Sequence, residues 1–312
     1  MVGMLRQLGL SDAKGDGRHG DVPPVTCPDN GVRFPSIALL VTLAALLVPA
    51  HLLTSPTMIA VTCTTLLLAG LPHGALDLAV LCRKPQHRAG LMITLYLGLA
   101  AVMFAIWQFA PVLALALFLA MAMLHFAEDW SAAEHPFFAI GIAVATLSAP
   151  ALFHHAELSQ LFVLFAGETT AAGLADTLLL VAPAAAACAL LAMLLLWQAG
   201  QRATAINAAC ALVALVVLPP VTGFGIYFCL IHSPTHFRAG LKRLAPAPGV
   251  ARSTIVATLG GLAIALVTLQ FVPTADPSSG LFVASFMTLS ILTLPHMAVP
   301  LIIRRLGPSA RS

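Results

Sequence analysis

The chain has 312 residues, 60% of them hydrophobic and only 9% charged, and its mean hydropathy is +0.97. Soluble globular domains do not have such a composition, so the chain reads as a polytopic membrane protein. Its net charge of +3 comes from short basic groups beside apolar segments, not from a long basic patch interleaved with aromatics, which excludes nucleic acid as a partner.

Residues 1–34 are polar, with no short apolar segment and cleavage site, so no removable secretory signal is expected. About 20 apolar residues span a bilayer as a helix. On that measure spans fall near 36–53, 57–81, 90–109, 112–131, 137–153, 174–198, 204–221, 223–239, 254–272 and 281–303. Pro56, Pro111, Pro136 and the pair Pro219 and Pro220 sit at the proposed turns, where a missing N–H is least disruptive. Residues 154–173 are the weakest joint and read as an interfacial or re-entrant segment. The expected fold is an all-α transmembrane helical bundle of about ten spans. It forms one domain over 35–304, between a cytoplasmic tail at 1–34 and a short one at 305–312. Six scattered cysteines without a C-x-x-C pair indicate neither a disulfide framework nor a zinc ribbon.

All 15 Lys and Arg residues fall in the N-terminal tail, around 83–88, at Arg202, between 238 and 252, or after 303. With ten spans these segments share one side, so the positive-inside rule places both termini in the cytoplasm of a cell (inner) membrane protein. The opposite loops carry Glu157, Glu168, Asp176 and Asp276 and no basic residue. Glu134 lies in a cytoplasmic turn without Lys or Arg, and acidic residues weigh little in that rule.

Five histidines lie within predicted spans: His73, His125, His232, His236 and His296. Counted back from the flanking charges at about 1.5 Å per residue, His73, His125, His232 and His296 share a depth to within roughly one helical turn. His236 lies one turn nearer the cytoplasm. His232 and His236 are spaced i,i+4, which stacks two imidazoles on one helix face as a chelating pair needs. One histidine in a bundle is often a hydrogen-bonded packing residue, but a set at common depth points to a metal centre. Imidazole suits Fe, Zn, Cu or Ni, and histidine alone does not select among them. Asp77, Glu128 and Asp129 are placed to fix imidazole tautomers or to ligate directly. His51, His154 and His155 fall toward the outer face, and His19, His87 and His135 in tails or turns, so they are assigned no part in the site.

These residues sit in short motifs: Gly70-Leu71-Pro72-His73-Gly74-Ala75-Leu76-Asp77, His125-Phe126, Tyr227-Phe228-Cys229-Leu230-Ile231-His232-Ser233 followed by His236, and Leu294-Pro295-His296-Met297. In this order the chain resembles the Brp/Blh family of membrane β-carotene 15,15'-dioxygenases. The resemblance implies central cleavage of β-carotene by O2 at non-haem ferrous iron, giving two all-trans-retinal that supply an opsin or rhodopsin partner. Motif matching nominates His73, His125, His232 and His236 as iron ligands, and no catalytic residue beyond them. His296 is a further ligand, a partner of one or a channel-lining residue, and Asp77, Glu128 and Asp129 are further ligands or partners of one. Leu78 departs from the family pattern, which commonly has histidine after the aspartate. Phe126, Tyr227 and Phe228 are the expected substrate-binding residues, and Trp130, Phe224, Phe237 and Met297 are further candidates to line a polyene tunnel.

Two other classes of function compete. A membrane di-iron hydroxylase or desaturase needs more histidines in tighter boxes than the one H-x-x-x-H pair here. A proton-relaying channel, or a non-catalytic carrier of carotenoid or retinal serving rhodopsin biogenesis, needs no metal. The sequence shows no inverted repeat that would favour transport.

Overall fold

The computed structural model describes residues 34–81, 86–133, 135–167, 169–244, 249–272 and 276–306. Both polar tails lie outside the described residues except for the helix ends at Phe34 and Leu306, and so do Arg83, Glu134, Glu168, His19 and the side chains of Leu78 and His87.

The described chain is helical from end to end. In order it forms α1 (Phe34–Leu46), α2 (Ala50–Leu53), α3 (Pro56–Leu81), α4 (Gln86–Phe109) and α5 (Pro111–Phe126), then a 3-10 turn (Ala127–Trp130). There follow α6 (Pro136–Ala166), α7 (Thr169–Gln198), α8 (Arg202–Val217) and α9 (Pro220–Tyr227). A π turn (Phe228–His232) leads into α10 (Ser233–Leu244), and α11 (Val250–Gln270) and α12 (Pro277–Leu306) complete the bundle. Local sequence explains the boundaries. Pro56, Pro111, Pro136, Pro220 and Pro277 each open a helix, where proline's fixed φ suits the first turn and its missing N–H costs nothing. Gly167 and Gly200, with φ of 69° and 80°, follow the ends of α6 and α7 in the left-handed conformation that stops a helix. Asp276 precedes α12 and accepts from Ser278 Oγ, Ser279 N and Ser279 Oγ at 2.6–2.8 Å, which holds its carboxyl down at about 2.

Among the described residues, seven helices are long and apolar enough to cross a membrane: Pro56–Asp77, Ala89–Phe109, Pro111–Trp130, Pro136–Ala166, Thr170–Gln198, Val250–Gln270 and Pro277–Ala298. The other three expected spans fall short of that measure. The first is broken after Leu46, where the chain turns before the four-residue α2. The span near 204–221 stops at Val217 because Pro219 and Pro220 cannot continue it. The span near 223–239 comprises α9, the π turn and the polar α10. Residues 154–166 of the expected interfacial or re-entrant joint are helical and form the second half of α6, continued past a kink at His154 (φ −124°, ψ 31°) that follows the helix-breaking Pro150.

Small residues let the helices close. Ala139 and Ala143 of α6 lie in one core cluster with Ala185, Ala189 and Ala192 of α7. A Cβ on Gly223 would stand 2.6 Å from the Ala214 carbonyl oxygen, so glycine alone allows α9 to meet the α8 backbone. α3 packs against α9, α10, α11 and α12, which makes it the inner post around which the site is built.

Candidate metal centre

Four supports bring the five histidines together. His73 and His296 each follow a proline inside a long helix, on α3 and α12, and His125 is in the last turn of α5. His232 ends the π turn, and His236 lies one turn on in α10. π turns widen a helix locally and recur at functional sites, and here one ends at His232 and leads into the turn that carries His236. Ring centroids are 4.9–5.0 Å from His125 to His232, His236 and His296, and 5.3 Å and 5.6 Å from His73 to His232 and His296. His232 and His236 are 4.6 Å apart. Two groups have ligand atoms mutually within 4.8 Å, namely His73, His125 and His296, and His125, His232 and His236. His125 belongs to both.

Hydrogen bonds fix which nitrogen four of the rings turn toward the centre. Asp129 accepts from His232 Nδ1 at 2.9 Å, so the proton sits on Nδ1 and the Nε2 lone pair is free. Asp77 treats His296 in the same way, with Nδ1 at 2.7 Å. Ser233 donates its hydroxyl to the Ala69 carbonyl, which leaves Oγ as acceptor for His73 Nδ1 at 3.3 Å. His236 is the exception. Its Nε2 reaches Asp129 at 2.7 Å, so Nδ1 is the nitrogen left to ligate. Nε2 of His125 and of His232 are buried without any hydrogen-bond partner. Leaving such atoms bare costs about 1–3 kcal/mol each. Two bare, converging imidazole nitrogens fit a metal ion as the missing partner, as does an all-nitrogen donor set backed by carboxylates.

The carboxylates expected near the site separate. The 3-10 turn directs Asp129 inward, where its side chain is 3% exposed and takes bonds from His232, His236 and the Tyr227 hydroxyl at 2.6 Å. Glu128, one residue earlier, is 31% exposed and only 4.0 Å from His125 Nδ1. Asp77 serves His296 alone among the histidines.

A cavity of about 460 Å³ adjoins the cluster, lined by His73, His125, His232 and His296 and otherwise by mostly apolar side chains. Phe126, Phe224 and Phe228 are on its wall, where aromatic substrate contacts were expected. Tyr227 is not. It is wholly buried with its hydroxyl on Asp129, so its place is in the polar network behind the cluster. Trp130 and Phe237 pack in apolar clusters instead, and neither they nor Met297 line this cavity. Gly70 lies where a Cβ would stand 2.8 Å from Phe228 Cε1, so its lack of a side chain seats that ring against α3. Sequence reasoning missed Ser233. Its only signal was its place directly after a candidate ligand.

A family model described as Beta-carotene 15,15'-dioxygenase matches residues 64–303, which include all five histidines, Asp77 and Asp129. The chain belongs to the β-carotene 15,15'-dioxygenase family. A curated relative, the Beta-carotene 15,15'-dioxygenase of an uncultured marine bacterium (66A03), is 31% identical over 198 residues. That stretch covers 56% of this chain and 66% of the relative, just under two thirds of its length. No solved structure matches.

Proposed function

We propose that this family member cleaves β-carotene at the central 15,15' double bond with O2, at ferrous iron held by His73, His125, His232 and His236, with His296 a further ligand. The observation that carries this reading is the pair of buried, unpartnered Nε2 atoms on His125 and His232 at the wall of an apolar cavity. Iron supplies the redox chemistry that O2 requires, which zinc does not offer. The reaction exchanges one C=C bond for two C=O bonds, one oxygen atom going to each half, so it balances without a reductant and gives two all-trans-retinal for an opsin partner.

The chain's own residues prepare the site. Asp129, Asp77 and Ser233 hold imidazole protons on the nitrogens that face away from the centre, which keeps the ligating lone pairs available. The carboxylates of Asp77 and Asp129 offset a divalent charge that would otherwise be costly at membrane depth. Cavity-wall phenyl rings such as Phe126 and Phe228 orient an elongated apolar substrate and exclude water.

Counting the three shorter helical segments, α1, α8 and α9–α10, as crossings gives ten, the number expected from the sequence. An even count then places both termini and every basic group in the cytoplasm of a cell-membrane enzyme. Expression in a host that accumulates β-carotene tests the reaction. Orange colour should fade as retinal appears at two molecules per carotene consumed, and unchanged carotene in cells with inserted, iron-bearing protein would refute it.

A further inference from the structure

The cavity beside the histidines extends outward between α4 and α11. Its far lining includes Leu97 of α4 and Val256 of α11, which are 59% and 56% exposed, together with the exposed Gly260. These residues lie within two candidate membrane spans, Ala89–Phe109 and Val250–Gln270, the two least buried of the seven. In a bilayer their exposed faces meet lipid tails.

The helices are arranged to leave a gap at this level. α4 and α11 both pack on α12, and the rings of Phe104 and Phe271 meet edge to face at 5.4 Å. Leu97 lies seven residues before Phe104, on the same helix face but about 10 Å along the axis from that contact at 1.5 Å per residue. Two adjacent glycines on α11 divide the work. A Cβ on Gly261 would stand 2.8 Å from Leu71 Cδ2, so glycine there lets α11 lie directly on α3. A Cβ on Gly260 would meet nothing within 4 Å, so its position stays clear.

We infer that a lipid-dissolved polyene reaches the histidine cluster sideways from the bilayer, through a portal between α4 and α11 with Leu97 and Val256 as its lips and Gly260 beneath them. A rigid apolar molecule partitions into hydrocarbon, and this route spares its extraction into water. The inference rests on the proposed reaction for the identity of the ligand, but not for the position of the opening.

The test uses full-length protein in proteoliposomes carrying β-carotene, and reads the rate of pigment binding without O2, retinal formation with O2, and iron content. Gly260→Trp should slow both binding and cleavage by about tenfold or more, because a blocked route acts on association. Its iron content should match the parent's. Val256→Trp and Leu97→Trp, at exposed lips that tolerate bulk, should do the same if Gly260→Trp fails to insert. Leu259→Trp, exposed on the same helix but outside the cavity lining, should leave both rates unchanged. Equal rates in Gly260→Trp, Val256→Trp, Leu97→Trp and Leu259→Trp would overturn the portal while cleavage by the parent stands. A parent protein that binds carotene through the portal yet never cleaves it would overturn the reaction alone, and one that does neither would overturn both.

Discussion

Two histidine–carboxylate pairs in this molecule have nearly the same length and opposite meaning. His232 Nδ1 is 2.9 Å from Asp129, with the side chains 0% and 3% exposed, and His155 Nε2 is 2.8 Å from Asp176, with 36% and 70% exposed. The outer pair is a solvated contact of the kind worth about 0–1 kcal/mol. Beside it, His154 Nδ1 stands 3.9 Å from Glu157 on the same helix. At the inner pair the second ring nitrogen is buried without a hydrogen-bond partner, and its ring lies against those of His73, His125 and His236, so its lone pair is placed to meet an ion. Distance does not distinguish a ligand site from decoration. Burial and convergence do.

This contrast can be broken residue by residue. His125→Ala removes the imidazole shared by both ligand groups and should cost the most. Iron content should collapse, and retinal formation should fall by more than the roughly 10–100-fold typical of residues that only orient a ligand. Elemental analysis of normally inserted protein checks this, and retained iron would break the assignment. Asp129→Asn keeps the shape but loses the charge that orients His232 and His236, so iron affinity should fall by about 10–100-fold, read by titration with ferrous iron. Tyr227→Phe removes one donor to Asp129 and no ligand. Its loss of iron affinity should be smaller than that of Asp129→Asn, with no change in carotene binding, and weakened carotene binding would instead return Tyr227 to the cavity wall. His155→Ala and Asp176→Asn should leave iron and activity untouched and shift thermal stability by no more than about 0.5 kcal/mol.

Much of this was legible in the sequence, because hydrophobic length and the position of proline are local properties. Pro56, Pro111, Pro136 and Pro220 open helices close to where the turns were expected, and the five intramembrane histidines do converge. What sequence could not supply was direction. A helix reading of 127–130 gives Glu128 and Asp129 similar prospects, and only the 3-10 turn sends one inward and leaves the other half-exposed. Tyr227 looked like a substrate contact because it is aromatic and adjoins a candidate ligand. Its hydroxyl decided otherwise, since a phenol buried at that depth must find an acceptor. The segment after His154 read as an interfacial or re-entrant joint, and helix persists there because Pro150 and the kink let α6 bend without ending. Hydrophobic length also gave a continuous span near 223–239, where the described residues form three pieces, α9, the π turn and the polar α10.

The most direct test of the central claim is metal dependence of retinal formation by the purified, lipid-embedded protein. Chelation should abolish the reaction together with bound iron, and ferrous iron should restore both while zinc restores occupancy without turnover. Full retinal formation by rigorously metal-free protein would contradict the account.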